Sequence, residues 1–195
     1  HANLAAAWVG DGGFEAAVLA EASRTMPGHV TVLSTALAYE PAAGERAFRS
    51  EDEPLASGGV RAVADRVRLE SLVAAWQGGT GVPVAVLRPV LVASVEARGW
   101  FDRSAWRNRR LCPSPWPVVQ YVLLRDVVGA ADVVRRRRSA GTFNVAPDGW
   151  LEGAETVELA DRRFVLAAPP AVLVFVERLR WWTWWSPTPP ALLEL

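Results

Sequence analysis

The chain has 195 residues, enough for one domain with a sizeable hydrophobic core. Its 21 basic and 21 acidic residues give a formal net charge of zero, which argues against non-specific electrostatic binding of nucleic acid. A single cysteine excludes an internal disulfide, and two histidines argue against a histidine metal cluster. We therefore expect a reduced, cytoplasmic, globular protein that binds neither nucleic acid nor a metal.

The first half of the chain predicts a helix, a strand and a second helix. Residues 13–25 have the alanine, glutamate and leucine content of a helix, and Pro27 interrupts the chain after it. Residues 30–33 form a short β-branched run that predicts a buried strand. Residues 60–77 carry apolar side chains at helical spacing, and the glycine pair 78–79 predicts the end of that helix.

Strands and helices are also predicted to alternate in the second half of the chain. Residues 82–92 form a nearly continuous apolar run, as expected of a parallel strand buried on both faces, and residues 118–124 form another β-rich run. Asp126 is placed to cap a helix over 127–138, and residues 142–145 predict a short strand. Alternating strands and helices predict an α/β fold, here a partial doubly wound, Rossmann-like parallel sheet with a helical C-terminal segment.

The last part of the chain differs in composition. The apolar run 164–176 has 13 residues, whereas a transmembrane helix needs about 20. Four tryptophans follow within 181–185, next to Arg178. Such a cluster suits either a membrane interface or packing against a missing part of the protein or a partner, and the shortness of the run makes us favour packing. We predict a first domain over 1–150 and a helical, tryptophan-rich segment over 151–195.

Six segments have the order and spacing of a known family. One ends a predicted strand with Ser-Thr-Ala-Leu-Ala-Tyr, and another has the sequence Val-Leu-Arg-Pro. The six segments are residues 32–39, 50–55, 62–73, 86–89, 120–127 and 141–146. Together they resemble the extended short-chain dehydrogenase/reductases, also called the NAD-dependent epimerase/dehydratase family. The resemblance covers most of residues 11–152.

The resemblance implies a nucleotide-binding sheet that takes NAD or NADP. In the family a glycine-rich turn at the first helix holds the pyrophosphate, and it precedes all six segments. No such turn stands before them here, so we expect a chain that is incomplete at its front. The glycine-rich stretch 10–13 enters a helix at a later place in the fold, and we interpret it as a helix-entry loop. Because an incomplete sheet exposes an apolar edge and faces, we expect the chain alone to be poorly soluble or to self-associate, including as homo-oligomers.

The resemblance also identifies candidate site residues. In the family a tyrosine acts as general acid/base, and a lysine four residues later lies on the same helical face. The corresponding positions here are Ala62 and Arg66, while Thr35 matches a serine or threonine that binds the substrate oxygen. Arginine does not shuttle protons near neutral pH. The candidate catalytic residues are Thr35 and Arg66, and the candidate cofactor neighbours are Ser34, Thr35, Arg66, Pro89, Val90 and Leu91.

Two functions remain open from the sequence. The first is an NAD(P)-dependent epimerase/dehydratase-type oxidoreductase, as a fragment or a degenerate member, acting on an unidentified small molecule. The alternative is a non-catalytic dinucleotide-sensing or partner-binding module on the same scaffold. The missing tyrosine and lysine favour the alternative. We expect Tyr39 to pack or hydrogen-bond at a strand end, and the arginine run 135–138 to be a solvated helix end.

Overall fold

A computed structural model gives the fold of most of the chain. It describes residues 13–40, 48–56, 61–94, 111–113, 118–151, 155 and 166–182. The chain divides into two compact units, the first formed by residues 1–90 and 124–146, the second by 91–123 and 147–195. The division predicted at residue 150 stays a prediction. The glycine-rich stretch before residue 13, the Ala62 side chain and the last tryptophans, 184 and 185, lie outside what is described.

Helices and strands alternate along the described residues. In chain order the elements are α1 (Gly13–Thr25), β1 (Val30–Leu33), a 3-10 turn (Ala36–Ala38), α2 (Arg61–Thr80), β2 (Val84–Pro89), β3 (Leu91–Ala93), β4 (Leu111–Pro113), β5 (Tyr121–Leu123), α3 (Leu124–Arg137), β6 (Gly141–Val145), β7 (Leu166–Ala168) and α4 (Pro170–Trp182). The predicted α/β class is confirmed.

The first unit is built on a parallel sheet in the order β1-β2-β6. Val32 pairs with Val86 between β1 and β2, and Leu87 pairs with Phe143 between β2 and β6. The central strand is covered on both faces, because α2 and α3 both contact it. This explains why its sequence is almost continuously apolar.

The side chains of β2 alternate between those two faces. Ala85 and Leu87 are fully buried and join Val134 of α3 in the hydrophobic core of this unit. Arg88, the next residue in the strand, has its side chain on the opposite face, where it contacts α2. The strand therefore carries a charged residue into the helix-covered interior at its carboxyl end.

The end of α2 corrects the prediction that the glycine pair stops the helix. Gly78 and Gly79 lie inside the helix, which ends at Thr80. Gly81 follows with φ +69, and its N–H donates to the Gln77 carbonyl oxygen at 2.8 Å. A left-handed residue after the last turn is a common helix terminator, and glycine adopts that conformation without steric cost.

Asp126 does not cap a helix as predicted. The helix α3 begins two residues earlier, at Leu124, so Asp126 lies in its first turn. A carboxylate there interacts favourably with the helix dipole without being the capping residue. At the other end of α3, Arg135 and Arg136 both pair with Asp132, at 2.7 Å each. The arginine run is exposed, as expected.

The predicted strand over 82–92 is two strands. β2 ends at Pro89 in the first unit and β3 begins at Leu91 in the second, with Val90 between them. Proline has no N–H to donate to a ladder, which favours a break at this point. The Val90 N–H instead donates to the Val145 carbonyl oxygen at 3.1 Å.

The second unit contains two small parallel pairs, β3–β5 and β4–β7. Residues 111–113 form the strand β4, and α4 packs on it. The partner of β4 is β7, so the C-terminal segment contains a strand as well as the predicted helix. Along α4, Leu173 is buried while Val172, Phe175 and Leu179 are exposed. No helix among the described residues is long and apolar enough to cross a membrane.

Candidate functional site

Five of the six candidate residues lie at the carboxyl ends of β1 and β2, the exception being Leu91. In open α/β sheets this edge is where ligands bind. Ser34 directly follows β1, and its N–H extends the ladder by donating to the Leu87 carbonyl oxygen at 2.8 Å. The Ser34 side chain is buried, and its hydroxyl donates to the Glu70 carboxylate. This hydroxyl is thus already bound to the protein's own helix.

Thr35 lies at the turn that leads away from β1. Its backbone is extended, and its Oγ1 accepts a hydrogen bond from the Leu37 N–H at 3.2 Å, which caps the 3-10 turn. The side chain is partly buried. Since the oxygen acts as an acceptor in this contact, the hydroxyl keeps its proton for donation to a ligand oxygen.

Arg66 reaches the same edge from α2. Its Nη1 donates to the Leu33 carbonyl oxygen at 3.2 Å, and the side chain is partly buried. A guanidinium has five N–H donors, so one bond to the backbone does not exhaust it. The structure therefore brings Arg66 to the residue next to Ser34 and two before Thr35, as expected if all three act in one place.

The other three candidates lie on or just beyond the neighbouring strand. Pro89 is buried and pairs with Val145, and the N–H of Val90 is used by Val145 as well. Leu91 instead begins β3 and pairs with Tyr121 in the second unit. Pro89 thus ends the strand adjacent to Ser34 and Val90 directly follows it, whereas Leu91 belongs to another sheet. The functional roles of all six residues stay predictions.

A buried ion pair between Arg88 of β2 and Glu70 of α2 lies next to Ser34. Arg88 Nη2 is 2.7 Å from Glu70 Oε2, and Arg88 Nε is 3.2 Å from each carboxylate oxygen. Only 5% of Arg88 and 7% of Glu70 are exposed. Glu70 also accepts the Ser34 hydroxyl, so one carboxylate joins α2 to both β1 and β2.

Arg88 has further contacts on its other sides. Its Nη1 donates to the Glu51 carbonyl oxygen at 3.1 Å, and its Cζ lies 4.7 Å from the centre of the Tyr39 ring. This distance is within the range of a cation–π interaction. Burial lowers the pKa of Arg88, but the hydrogen bonds that its guanidinium donates to Glu70, together with the Glu70 charge, outweigh that effect and raise the pKa above its ordinary value. Arg88 is therefore a permanent cation.

Tyr39 and Asn144 close the network at the end of β6. The Tyr39 hydroxyl donates to Asn144 Oδ1 at 2.6 Å, which confirms the expectation that Tyr39 hydrogen-bonds at a strand end. Asn144 in turn donates its backbone N–H to Glu51 Oε1 and its Nδ2 to the Arg49 carbonyl oxygen, both at 2.9 Å. These two hydrogen bonds attach the polar segment 48–56 to the carboxyl end of β6, and the bond from Arg88 to Glu51 attaches it to the carboxyl end of β2.

Sequence reasoning missed this network, although one signal pointed to it. Arg88 is the only charged residue in the apolar run 82–92, and a charge on a strand buried on both faces needs a partner. The sequence does not identify that partner, because Glu70 is 18 residues away on another element. Among the described residues no three histidine, cysteine or acidic side chains gather as a metal site.

The fold matches that of known structures. One is dTDP-glucose 4,6-dehydratase from Bacillus anthracis, solved with NAD, with a TM-score of 0.65 and 15% identity over 80% of this chain and 54% of that chain. UDP-glucose 4-epimerase from Thermus thermophilus, also solved with NAD, has a TM-score of 0.61 and 18% identity over 80% of this chain and 55% of that one. The chain has the fold of the NAD-dependent epimerases and dehydratases.

This epimerase/dehydratase fold also occurs in an NAD-dependent NDP-hexosamine 5,6-dehydratase of tunicamycin biosynthesis, with a TM-score of 0.64 and 19% identity over 80% of this chain and 55% of that one. The chain thus spans about half the length of these solved structures. No protein-family model and no curated protein matches the sequence. At such low identities the likeness is one of fold, and at that level the resemblance stated from the sequence is confirmed.

Proposed function

We propose that this chain is part of an NAD(P)-dependent oxidoreductase of the epimerase/dehydratase type that acts on a small-molecule substrate. The observation that carries the proposal is the hydrogen bond from Arg66 to the carbonyl oxygen of Leu33, which brings Arg66 to the carboxyl end of β1, directly before the Ser34–Thr35 turn. That edge is the ligand-binding side of a parallel sheet. The fold shared with enzymes solved with NAD supports a dinucleotide as the ligand.

The residues at this edge suit a nicotinamide dinucleotide. Arg66 would hold a ribose hydroxyl with guanidinium N–H groups not used by Leu33, and Thr35 would donate its hydroxyl proton to a substrate oxygen. Because the Val90 N–H is already bound to Val145, a backbone contact from Val90 would use its carbonyl oxygen. When bound, the nicotinamide supplies hydride transfer, while these residues bind and orient.

One observation favours a second function, a non-catalytic dinucleotide-sensing or partner-binding module. The sequence has no lysine and only two tyrosines, and position 62 is alanine. Of the tyrosines, Tyr39 is buried and its hydroxyl is bound to Asn144. Proton transfer by the family's tyrosine–lysine pair is therefore not available on α2, and dinucleotide binding without turnover is the expected behaviour of this second function.

The binding test uses the complete natural protein with NADH and NADPH, followed by the fluorescence of the reduced nicotinamide. Arg66→Ala should weaken binding by at least roughly tenfold, because hydrogen bonds from charged groups contribute about 1.5–3 kcal/mol. Arg68→Ala is the matched control, since Arg68 is an exposed residue of the same helix, bound to Asp65 at 3.3 Å. Equal affinity of the Arg66 and Arg68 variants, or no binding by the wild type, would overturn the proposal.

Turnover separates the two functions. The wild type is mixed with sugar nucleotides and other hydroxy and keto compounds, and the absorbance of the reduced nicotinamide is followed. An oxidoreductase should lose turnover in Thr35→Ala and retain it in Thr35→Ser. Dinucleotide binding with no turnover of any compound supports the sensing module instead.

A further inference from the structure

Two side chains of α2, one helical turn apart, hold the carboxyl end of β1. Arg66 binds the carbonyl oxygen of Leu33, and Glu70 accepts the hydroxyl of Ser34. Residues four apart lie on the same helical face, which is why both reach the same strand end. The two residues immediately before Thr35 are therefore fixed to α2, one through its backbone and the other through its side chain.

The Glu70 carboxylate is itself fixed. Arg88 contacts both of its oxygens, so the carboxylate is held by β2 while it holds Ser34 of β1. The same guanidinium binds the Glu51 carbonyl oxygen of the segment 48–56. A displacement of Glu70 would thus be transmitted to the turn that carries Thr35 and to the loop over the carboxyl ends of the strands.

Stability alone does not account for this pair. A buried ion pair often stabilises a fold no better than apolar side chains of similar volume, because desolvation offsets much of the attraction. The pair holds the Glu70 carboxylate in one orientation, so that it accepts the Ser34 hydroxyl at a fixed position at the end of β1. That property matters where the adjoining residues bind a ligand in a defined geometry.

We propose that Glu70, locked by Arg88, is a positioning residue of the dinucleotide edge. By holding the Ser34 hydroxyl it sets the Ser34–Thr35 turn relative to Arg66, so that Thr35 and Arg66 face one bound dinucleotide. The inference rests on the proposed function and adds to it a residue that touches neither cofactor nor substrate.

The test removes only the contact between Ser34 and Glu70. Ser34→Ala deletes the hydroxyl and leaves the ion pair in place, while Ser71→Ala is the matched control, because Ser71 is exposed and binds only along its own helix, to the Val67 carbonyl oxygen at 3.1 Å. Amide hydrogen exchange of the complete protein is measured without ligand. Exchange over residues 34–38 should become about fivefold faster in Ser34→Ala, the equivalent of one hydrogen bond.

The location of the change distinguishes positioning from general weakening of the fold. Amides of β2 and β6 should exchange at the wild-type rate in Ser34→Ala, and Ser71→Ala should match the wild type everywhere. NADH affinity should fall about three- to tenfold in Ser34→Ala, because binding must then order the turn without the free energy of one hydrogen bond. It should stay unchanged in Ser71→Ala.

The outcomes separate this inference from the proposed function. Unchanged exchange over residues 34–38, or faster exchange spread equally over β2 and β6, overturns the positioning role. If the wild type binds NADH and Ser34→Ala binds it equally well, the positioning role fails and the proposed function stands. If the wild type binds neither NADH nor NADPH, both the proposed function and the positioning role of Glu70 fail.

Discussion

Arg88 on β2 and Glu70 on α2 meet side by side in the interior of the first unit, with Nη2 2.7 Å from Oε2. Side-by-side contact of a guanidinium with a carboxylate is a strong and geometrically specific form of ion pair. Both side chains are almost fully buried, so neither can replace its partner with water. The pair is therefore expected to show a large cost when one member is removed.

Removing the cation alone should be strongly destabilising. Arg88→Met leaves the Glu70 carboxylate buried without its partner, and we expect a loss of about 3–5 kcal/mol in the free energy of unfolding. Chemical denaturation of the variant and the wild type measures this difference. A loss below about 1 kcal/mol, typical of exposed pairs, would contradict the buried arrangement.

Removing both charges should recover most of that loss. In Glu70→Leu with Arg88→Met, no unpaired charge remains in the interior, and apolar replacements of similar volume are often neutral or better. The double variant should be more stable than Arg88→Met alone in the same denaturation experiment. A double variant as unstable as the single one would mean that packing around Arg88, including the Tyr39 ring, matters more than its charge.

The hydrogen bond between Tyr39 and Asn144 should be measurable separately. Tyr39→Phe keeps the ring beneath Arg88 and removes the hydroxyl that donates to Asn144 Oδ1. We expect a loss of about 1–2 kcal/mol, the usual cost of deleting one partner of a buried hydrogen bond. A double-mutant cycle with Asn144→Ala should give a coupling energy near 1 kcal/mol, whereas strictly additive losses would show that the two side chains do not interact.

Local patterns in the sequence were sufficient for several elements. The composition of residues 13–25 and the β-branched run 30–33 predicted α1 and β1 residue for residue. The apolar run 82–92 predicted a strand buried on both faces; β2 is such a strand over Val84–Pro89, while the end of the run forms β3 instead. These elements were predictable because helix propensity and burial pattern act over neighbouring residues.

What could not be predicted depends on contacts between distant residues. Two glycines in succession resemble a helix end, yet α2 continues through Gly78 and Gly79, since glycine in a helix costs only about 1 kcal/mol each and tertiary packing can override that cost. The ion pair at the candidate site joins residues 70 and 88, and its link to Ser34 spans 36 positions. The sequence indicated that Arg88 needs a partner but gave no means of choosing Glu70.

Acid should remove one contribution to stability at the surface of α3. A hydrogen bond from Arg135, together with the nearby Arg136 charge, lowers the pKa of Asp132 below its ordinary value. A carboxyl with a lowered pKa in the folded state stabilises that state above its unfolded pKa of about 3.9, and the stabilisation disappears as pH falls through the folded pKa. Asp132→Asn should therefore be less stable than the wild type at neutral pH, and the two should converge in acid. High salt should shrink the neutral-pH difference, whereas a difference that persists in acid would assign the effect to something other than charge.

A glycine inside α2 and the glycine that follows its end should respond to alanine with opposite signs. Gly79 lies inside the helix, and an added Cβ meets no atom within 4 Å, so Gly79→Ala should raise the free energy of unfolding by about 0.5–1 kcal/mol. An added Cβ at Gly81 meets no atom either, but the φ of +69 is unfavourable for alanine, so Gly81→Ala should lower it by about 1–2 kcal/mol. Because neither site has a steric conflict, the difference between the two variants in chemical denaturation measures backbone conformation alone. If both substitutions stabilise the protein, the left-handed helix end at Gly81 is wrong; if both destabilise it, the helix ends before Gly79, as the sequence pattern had predicted.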